Sequence, residues 1–360
     1  MLGVSTAWEG NCFRHSLHLN RSTDMKKYPS VLLILSFLSL LSLRAQEDFY
    51  IQEPRWKQLS QAYGFVLGQQ TSLELVLRKF PNLARDVNEA WFAFNSSAIG
   101  ESVKGVEEEI ARELGEKWPE YRDKMAAEMD ELLGKQEITL QQATEFLVEV
   151  RLRAKGDIPE TIRAALLSAH PRYSENPALE LSEGWKQTFR TEGHPKAKGV
   201  DFSISVPVSW SKREGNRPNV IQVFQSSSRQ APIICILMVK EIPLPAGYIP
   251  TKDELKEFFQ PDDLKGMVPD GGNFVTGQEM VLDGVPAGML VYDITKQRLD
   301  LTISMRMIQF VMIHKNSMIF IQFLLSGPPD TEKTVAQLQV QFLPTFRSIV
   351  NTFVLNDHYK

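Results

Sequence analysis

Two periods of apolar recurrence divide the chain. From about Glu53 to Pro177, apolar residues return every three or four positions. Leu83, Val87, Trp91 and Phe94 form one stripe, Val103, Val106, Ile110 and Leu114 a second, and Phe146, Leu147 and Val150 a third. That is the spacing of helices with one face turned to a core. Pro81, Gly100, Pro119, Gly134, Gly156 and Pro159 cut the stretch into segments of ordinary helix length. Thr71-Ser72-Leu73-Glu74 and Thr139-Leu140-Gln141-Gln142 have the form of capping boxes, in which the hydroxyl and the later side chain each satisfy a free backbone N–H. Glu107, Glu108, Glu109, Arg112 and Glu113 fall on the remaining surface and read as a solvated helix face.

The helical pattern breaks at Tyr173–Pro177, and after Gly199 the period becomes two. In Val200–Val206 apolar and polar residues alternate strictly, the mark of a half-buried strand. Further strands are expected at Val220–Gln225, Pro232–Lys240, Asn273–Val281, Ala287–Thr295, Leu299–His314 and Met318–Ser326. Asp283-Gly284 and Lys315-Asn316-Ser317 supply tight turns, so neighbouring strands run antiparallel. From Leu301 to Met307 the apolar residues are odd-numbered, and then Ile308, Phe310 and Met312 continue on even positions. Either a bulge shifts the register there or both faces of the strand are covered. Helices expected at Asp253–Phe259, opened by Thr251, and at Thr331–Val350 could cover them. The fold class is therefore α+β: an all-helical domain over 47–177, then an antiparallel sheet flanked by helices over 182–354.

The first forty-six residues obey neither period. Residues 1–24 are polar and aperiodic and read as an upstream extension of the true start. At Met25 a basic head, Lys26-Lys27, leads into the apolar run Val31–Leu43 and then Ala45-Gln46 before Glu47-Asp48. This is the layout of a secretory signal peptide over 25–45, cleaved after Ala45. An uncleaved anchor or a buried helix is the competing reading, although the run is short of the ~20 residues that span a bilayer. The mature chain is then expected without a stable membrane span, in the bacterial periplasm or secreted. Of the two cysteines only Cys235 remains, within the apolar run Ile233–Leu237, where it reads as a core residue. With 360 residues, 43% of them apolar, and a net charge of −4, the chain can bury about two cores and offers no basic excess for nucleic acid.

Three strings resemble the PsbP/Mog-like fold, which includes DcrB-type bacterial envelope proteins. They are Val200-Asp201-Phe202-Ser203-Ile204-Ser205-Val206-Pro207-Val208-Ser209-Trp210, Leu282–Tyr292 with its Asp283-Gly284-Val285-Pro286-Ala287 turn, and the closing Phe346-Arg347-Ser348-Ile349-Val350-Asn351-Thr352-Phe353. The resemblance covers 182–354 and implies an α/β/α sandwich that binds other proteins or serves as an accessory or assembly factor. It implies no shared catalytic set and leaves the helical half unaccounted for.

No motif for catalysis or cofactor binding stands out, so no catalytic residue, cofactor or metal is expected. His170, His194, His314 and His358 lack the spacing of a zinc site. Met280, Met289, Met305, Met307, Met312 and Met318 read as core filling rather than soft-metal ligands. The turn-rich stretch Asp262-Asp263 to Pro269–Asn273 reads as a cap and turn, or as a binding loop. Trp185, Phe189, Trp210, Tyr248, Asp270, Asn273 and Phe274 are the candidate binding surface, with the seam between helices and sheet as the alternative role for the aromatic ones. The expected function is a non-enzymatic factor whose partner is another envelope protein. One alternative is a small-ligand or lipid carrier with a pocket of about 300 Å³ or more between the halves. The other is a hydrolase using Asp262, Asp263 or Asp270 in an acidic cleft.

Overall fold

The structure, a computed structural model, describes residues 53–226, 233–242, 249–298, 301–326 and 334–360. The expected leader over 25–45, the stretch before it and Tyr248 lie outside the described residues. The described chain belongs to one compact unit in which helices come first and a sheet between helices follows, the α+β class that the change of period implies.

The helical half comprises α1 (Glu53–Lys79), α2 (Ala84–Asn95), α3 (Ala98–Leu114), α4 (Trp118–Gly134), α5 (Leu140–Arg153) and α6 (Glu160–Ser168). The first helix packs against each of the other five and buries Leu59, Phe65, Val66, Leu73 and Val76, so it is the axle of the bundle. The stripes face largely inward: Val87, Phe94, Val106, Ile110, Leu114, Phe146, Leu147 and Val150 are buried, and Leu83, Trp91 and Val103 are half-buried. The Thr139 capping box forms, with the Thr139 N–H donating to the Gln142 side chain at 2.9 Å. The Thr71 box does not. Thr71 is buried inside α1, and the neighbouring Ser72 hydroxyl donates to the Gly68 carbonyl at 2.7 Å. A cap needs the chain to arrive extended, and α1 runs unbroken through this position. The acidic face also has an exception: Glu109 is buried and accepts from Arg55 Nε at 3.0 Å.

Short helices α7 (Pro171–Glu175) and α8 (Pro177–Ser182) lead to a two-stranded sheet, β1 (Lys186–Arg190) with β2 (Ser203–Pro207). A seven-stranded antiparallel sheet follows, built from β3 (Ser211–Glu214), β4 (Val220–Gln225), β5 (Ile233–Glu241), β6 (Gly272–Leu282), β7 (Val285–Arg298), β8 (Leu301–His314) and β9 (Ser317–Ser326). Its order is β3-β4-β5-β9-β8-β7-β6. Asp283 and Gly284 both take positive φ, 45° and 75°, which matches the twist of the β6–β7 hairpin.

No bulge shifts the register of β8. Its pairing is unbroken with β7 from Leu301 to Met312 and with β9 from Met305 to His314, and every residue from Met307 to Ile313 is buried. Both faces are covered. On one, Ile308, Phe310 and Met312 join Phe323 and Cys235 beneath Leu338, Phe342 and Phe346 of α11 (Val335–Val350). On the other, Val311, Ile313 and Phe320 lie under Leu255, Phe259 and Leu264, from α9 (Lys252–Phe258), its end, and α10 (Pro261–Gly266). The bulges sit elsewhere, in β4 and β6. Met289 and Met312 serve one face and Met307 the other. Burial pushes the Cys235 thiol pKa well up.

Candidate functional site

A groove of about 340 Å³ opens where β1 meets the β3 edge of the large sheet. Neither strand shows an alternating pattern, because Lys186-Gln187-Thr188-Phe189-Arg190 and Ser211-Lys212-Arg213-Glu214 are almost wholly polar. Tertiary ties hold them. At one end Gln187 Nε2 donates to the carbonyls of Trp210 (2.6 Å) and Pro207 (3.0 Å). At the other, Lys196 Nζ pairs with Glu214 at 2.8 Å and donates to the Gly215 carbonyl. The floor is formed by Phe189 and Phe224, edge to face with ring centres 6.1 Å apart, and by Gln222, whose Nε2 donates to the Arg213 carbonyl at 2.7 Å.

Each strand that walls the groove keeps one edge unpaired among the described residues. In β1, Val208 N–H donates to Trp185 O and Thr191 N–H to Phe202 O, so alternation bonds Gln187 and Phe189 to β2. Thr188 and Arg190 therefore turn their N–H and C=O groups to the open side. In β3, Gly215 N–H donates to Ile221 O, which by the same alternation leaves the backbone groups of Lys212 and Glu214 pointing outward.

The surrounding charge is mostly positive. Lys212 meets Glu160 of α6 at 3.1 Å, and the hydrogen bond and charge of Lys196 hold Glu214 below the usual carboxylate range. Lys186, Arg190 and Arg213 form no ion pair among the described residues.

Of the candidate surface residues, three come to this region. Phe189 lies on the floor. Trp210 is buried and offers its carbonyl to Gln187. Trp185 is half-buried over Gly156, where a Cβ would stand 2.4 Å from its ring, and so joins the end of α5 to the start of β1. Asp270 and Asn273 are exposed, and Phe274 is half-buried beside Tyr292, all at the β6 edge. Six strand spacings, about 29 Å, separate that edge from β3. Sequence reasoning missed Gln187, Thr188, Lys212, Arg213, Glu214, Gln222 and Phe224. The only signal was the charged triplet Lys212-Arg213-Glu214, separated from Trp210 only by Ser211, which alternation cannot weigh.

The cleft between Leu167, Tyr173 and Glu180 on the helical side and Ser209, Trp210 and Ser226 on the other holds only about 10 Å³, far from the chamber a carrier would need there. Glu180 is 1% exposed at this junction and accepts from the Ser209 N–H and Oγ, each at 2.7 Å. Burial pushes its carboxyl pKa up to about 8, against the lowering effect of those bonds. Asp262 and Asp263 lie exposed on the first turn of α10, and Asp270 is exposed beyond it, so the acidic cleft a hydrolase would need is not built from them.

His170 is buried, stacked on Tyr173 at 3.9 Å with Nε2 3.3 Å from Glu101, and His314 Nε2 lies 3.3 Å from Asp357. Burial lowers both imidazole pKa values. No group of three or more His, Cys, Asp or Glu side chains is placed to hold a metal among the described residues, and no helix among them is long and apolar enough to cross a membrane.

No family model and no curated protein matches the chain. Among solved structures, the crystal structure of LpqN, involved in cell envelope biogenesis of Mycobacterium tuberculosis, matches at 15% identity. The match covers 48% of this chain and 92% of that one, with a TM-score of 0.29.

Proposed function

We propose that this chain is an exported accessory protein of the bacterial envelope, without catalytic activity of its own, that grips a partner protein at the groove between β1 and β3. The observation that carries the reading is that groove: about 340 Å³, floored by two aromatic rings and walled by two strands with unpaired edges. Unpaired strand edges are ready-made sites for a further chain. The leader layout from Met25 to Ala45 supports export. The PsbP/Mog-like resemblance of 182–354 supports an accessory role, and an antiparallel sheet with helices on both faces agrees with it.

Site-directed photo-crosslinking tests the proposal. A photoreactive residue at Thr188 or Arg213 should trap the same protein from envelope extract of the producing cells. The same residue at Asn273 or Val281, exposed on the opposite edge, should not. Equal trapping at both edges, or none at either, would overturn the reading.

A further inference from the structure

We infer that the groove takes its partner as an extended strand whose residues alternate between apolar and acidic. This deepens the proposed function and rests on the groove being a protein-binding site. The backbone supplies the first reason. Thr188 and Arg190 on one wall, and Lys212 and Glu214 on the other, present N–H and C=O groups that no strand occupies among the described residues. Those are the groups an added strand bonds in alternation. β1 is five residues long, about 17 Å, so a segment of four or five residues matches its length.

Side chains supply the second reason. A strand lying in the groove turns alternate residues down onto the half-buried Phe189, whose ring rests edge to face on the buried Phe224, and an apolar side chain there covers the exposed part of that ring. Its other residues face out to the rim. There Lys186, Arg190 and Arg213 form no ion pair among the described residues, whereas the one acidic member of the walls, Glu214, is already held by Lys196. An acidic side chain meets attraction at that rim and a basic one meets repulsion.

The test uses the whole mature protein and an eight-residue peptide alternating valine and glutamate, labelled for fluorescence anisotropy. Binding should weaken as salt is raised, and a valine–lysine peptide should not bind. Thr188→Pro and Lys212→Pro each remove an outward N–H that takes no part in the existing ladders, so the fold should tolerate them. At least one should weaken the glutamate peptide by roughly tenfold or more, as expected for lost edge hydrogen bonds, while Thr188→Val should not. A glutamate peptide with alternate amides N-methylated repeats the test on unaltered protein and should bind at least as poorly.

Equal binding of the two charge types, or full affinity of the N-methylated peptide, overturns the strand-addition inference. If the glutamate peptide fails while crosslinks at Thr188 and Arg213 persist, the inference falls and the protein-binding reading stands. If those crosslinks fail as well, both fall.

Discussion

Two buried ionisable side chains allow predictions at the scale of single residues. Glu180 is sealed between α8 and the β2–β3 turn, and its pKa rises from an ordinary 4.5 to about 8. A carboxyl whose folded pKa is raised gives its full stability below about 4.5 and loses it as pH climbs through 8, because the unfolded chain releases the proton first. Glu180→Gln keeps an acceptor for the Ser209 N–H and a donor for its hydroxyl but carries no charge. The variant should match the wild type near pH 4 and exceed it near pH 9 by a few kcal/mol in urea unfolding. Parallel pH curves for the two proteins would sink this account. Arg153 poses the opposite case. Its guanidinium is buried in the bundle, bonded to Glu149 at 3.1 Å and Gln69 at 3.2 Å, with its carbon 5.0 Å from the Phe65 ring centre and 5.4 Å from that of Phe146. Arg153→Ala strips Glu149 of this countercharge and opens a cavity, a loss of about 3–5 kcal/mol. Arg153→Met refills the space and should lose clearly less. Equal losses in denaturant titrations would show that the charge, not the packing, decides.

At the scale of elements, the close approach of α3 to the turn after α6 depends on Gly105. A Cβ built there stands 1.7 Å from the Ala169 carbonyl oxygen, a backbone atom that cannot swing aside. Gly105→Ala should cost about 2 kcal/mol or more. Gly134→Ala, whose Cβ would meet only the flexible Asp130 and Arg78 side chains, should gain about 0.5–1 kcal/mol. Thermal melts of the two variants should therefore move in opposite directions. The same contrast between local and tertiary causes explains which elements the sequence made legible. α3, α5 and β5 declare themselves because each buries a periodic face, β8 and β9 because they are apolar runs, and β6 and β7 because Asp283-Gly284 joins them in a tight turn. Thr139 and Thr251 cap their helices as spaced. Thr71 misleads because a capping box is a local pattern, and α1 is fixed by what surrounds it on all sides. β1 and β3 have no periodic face to read. They are strands because Gln187, Lys196 and the β4 ladder hold polar residues extended, and those partners lie outside any local window. The groove was therefore the least legible part of the molecule. A strand edge that awaits a partner has nothing of its own to bury, and only Phe189 among its lining residues stood out in the sequence.

At the scale of the whole molecule, the last ten residues act as a clasp across one end of the large sheet. Val354 bridges to Ser203, and the Leu355 N–H and Tyr359 hydroxyl both donate to Asp283 in the β6–β7 turn at 2.7 Å. Asn356 and Lys360 reach Asp201 ahead of β2 at 2.9 and 2.6 Å. Asp357 faces Lys315 and His314 at the β8–β9 turn, at 3.2 and 3.3 Å. Two hairpins and the entry to β2 are thus tied by residues that follow the last helix, and the sheet cannot loosen at this end without breaking several polar contacts together. The carboxylates record the arrangement. Bonds from Lys360 and Asn356 hold Asp201 below its usual range, while for Asp357 burial pushes upward and is outweighed by Lys315 and His314. A lowered carboxylate pKa contributes stability above the ordinary range near 3.8 that is lost as pH falls through the lowered value. Removing residues 356–360 leaves the buried Leu355 in place but cuts the ties to Asp201 and Lys315 and one of the two to Asp283. The truncated protein should be less stable at pH 7 by about 1–3 kcal/mol, and the gap to the full chain should shrink as pH drops below the carboxylate range. Hydrogen exchange should rise in the β6–β7 and β8–β9 turns while the bundle core keeps its protection. A uniform rise across both halves would mean that the tail acts on global stability alone and clasps nothing.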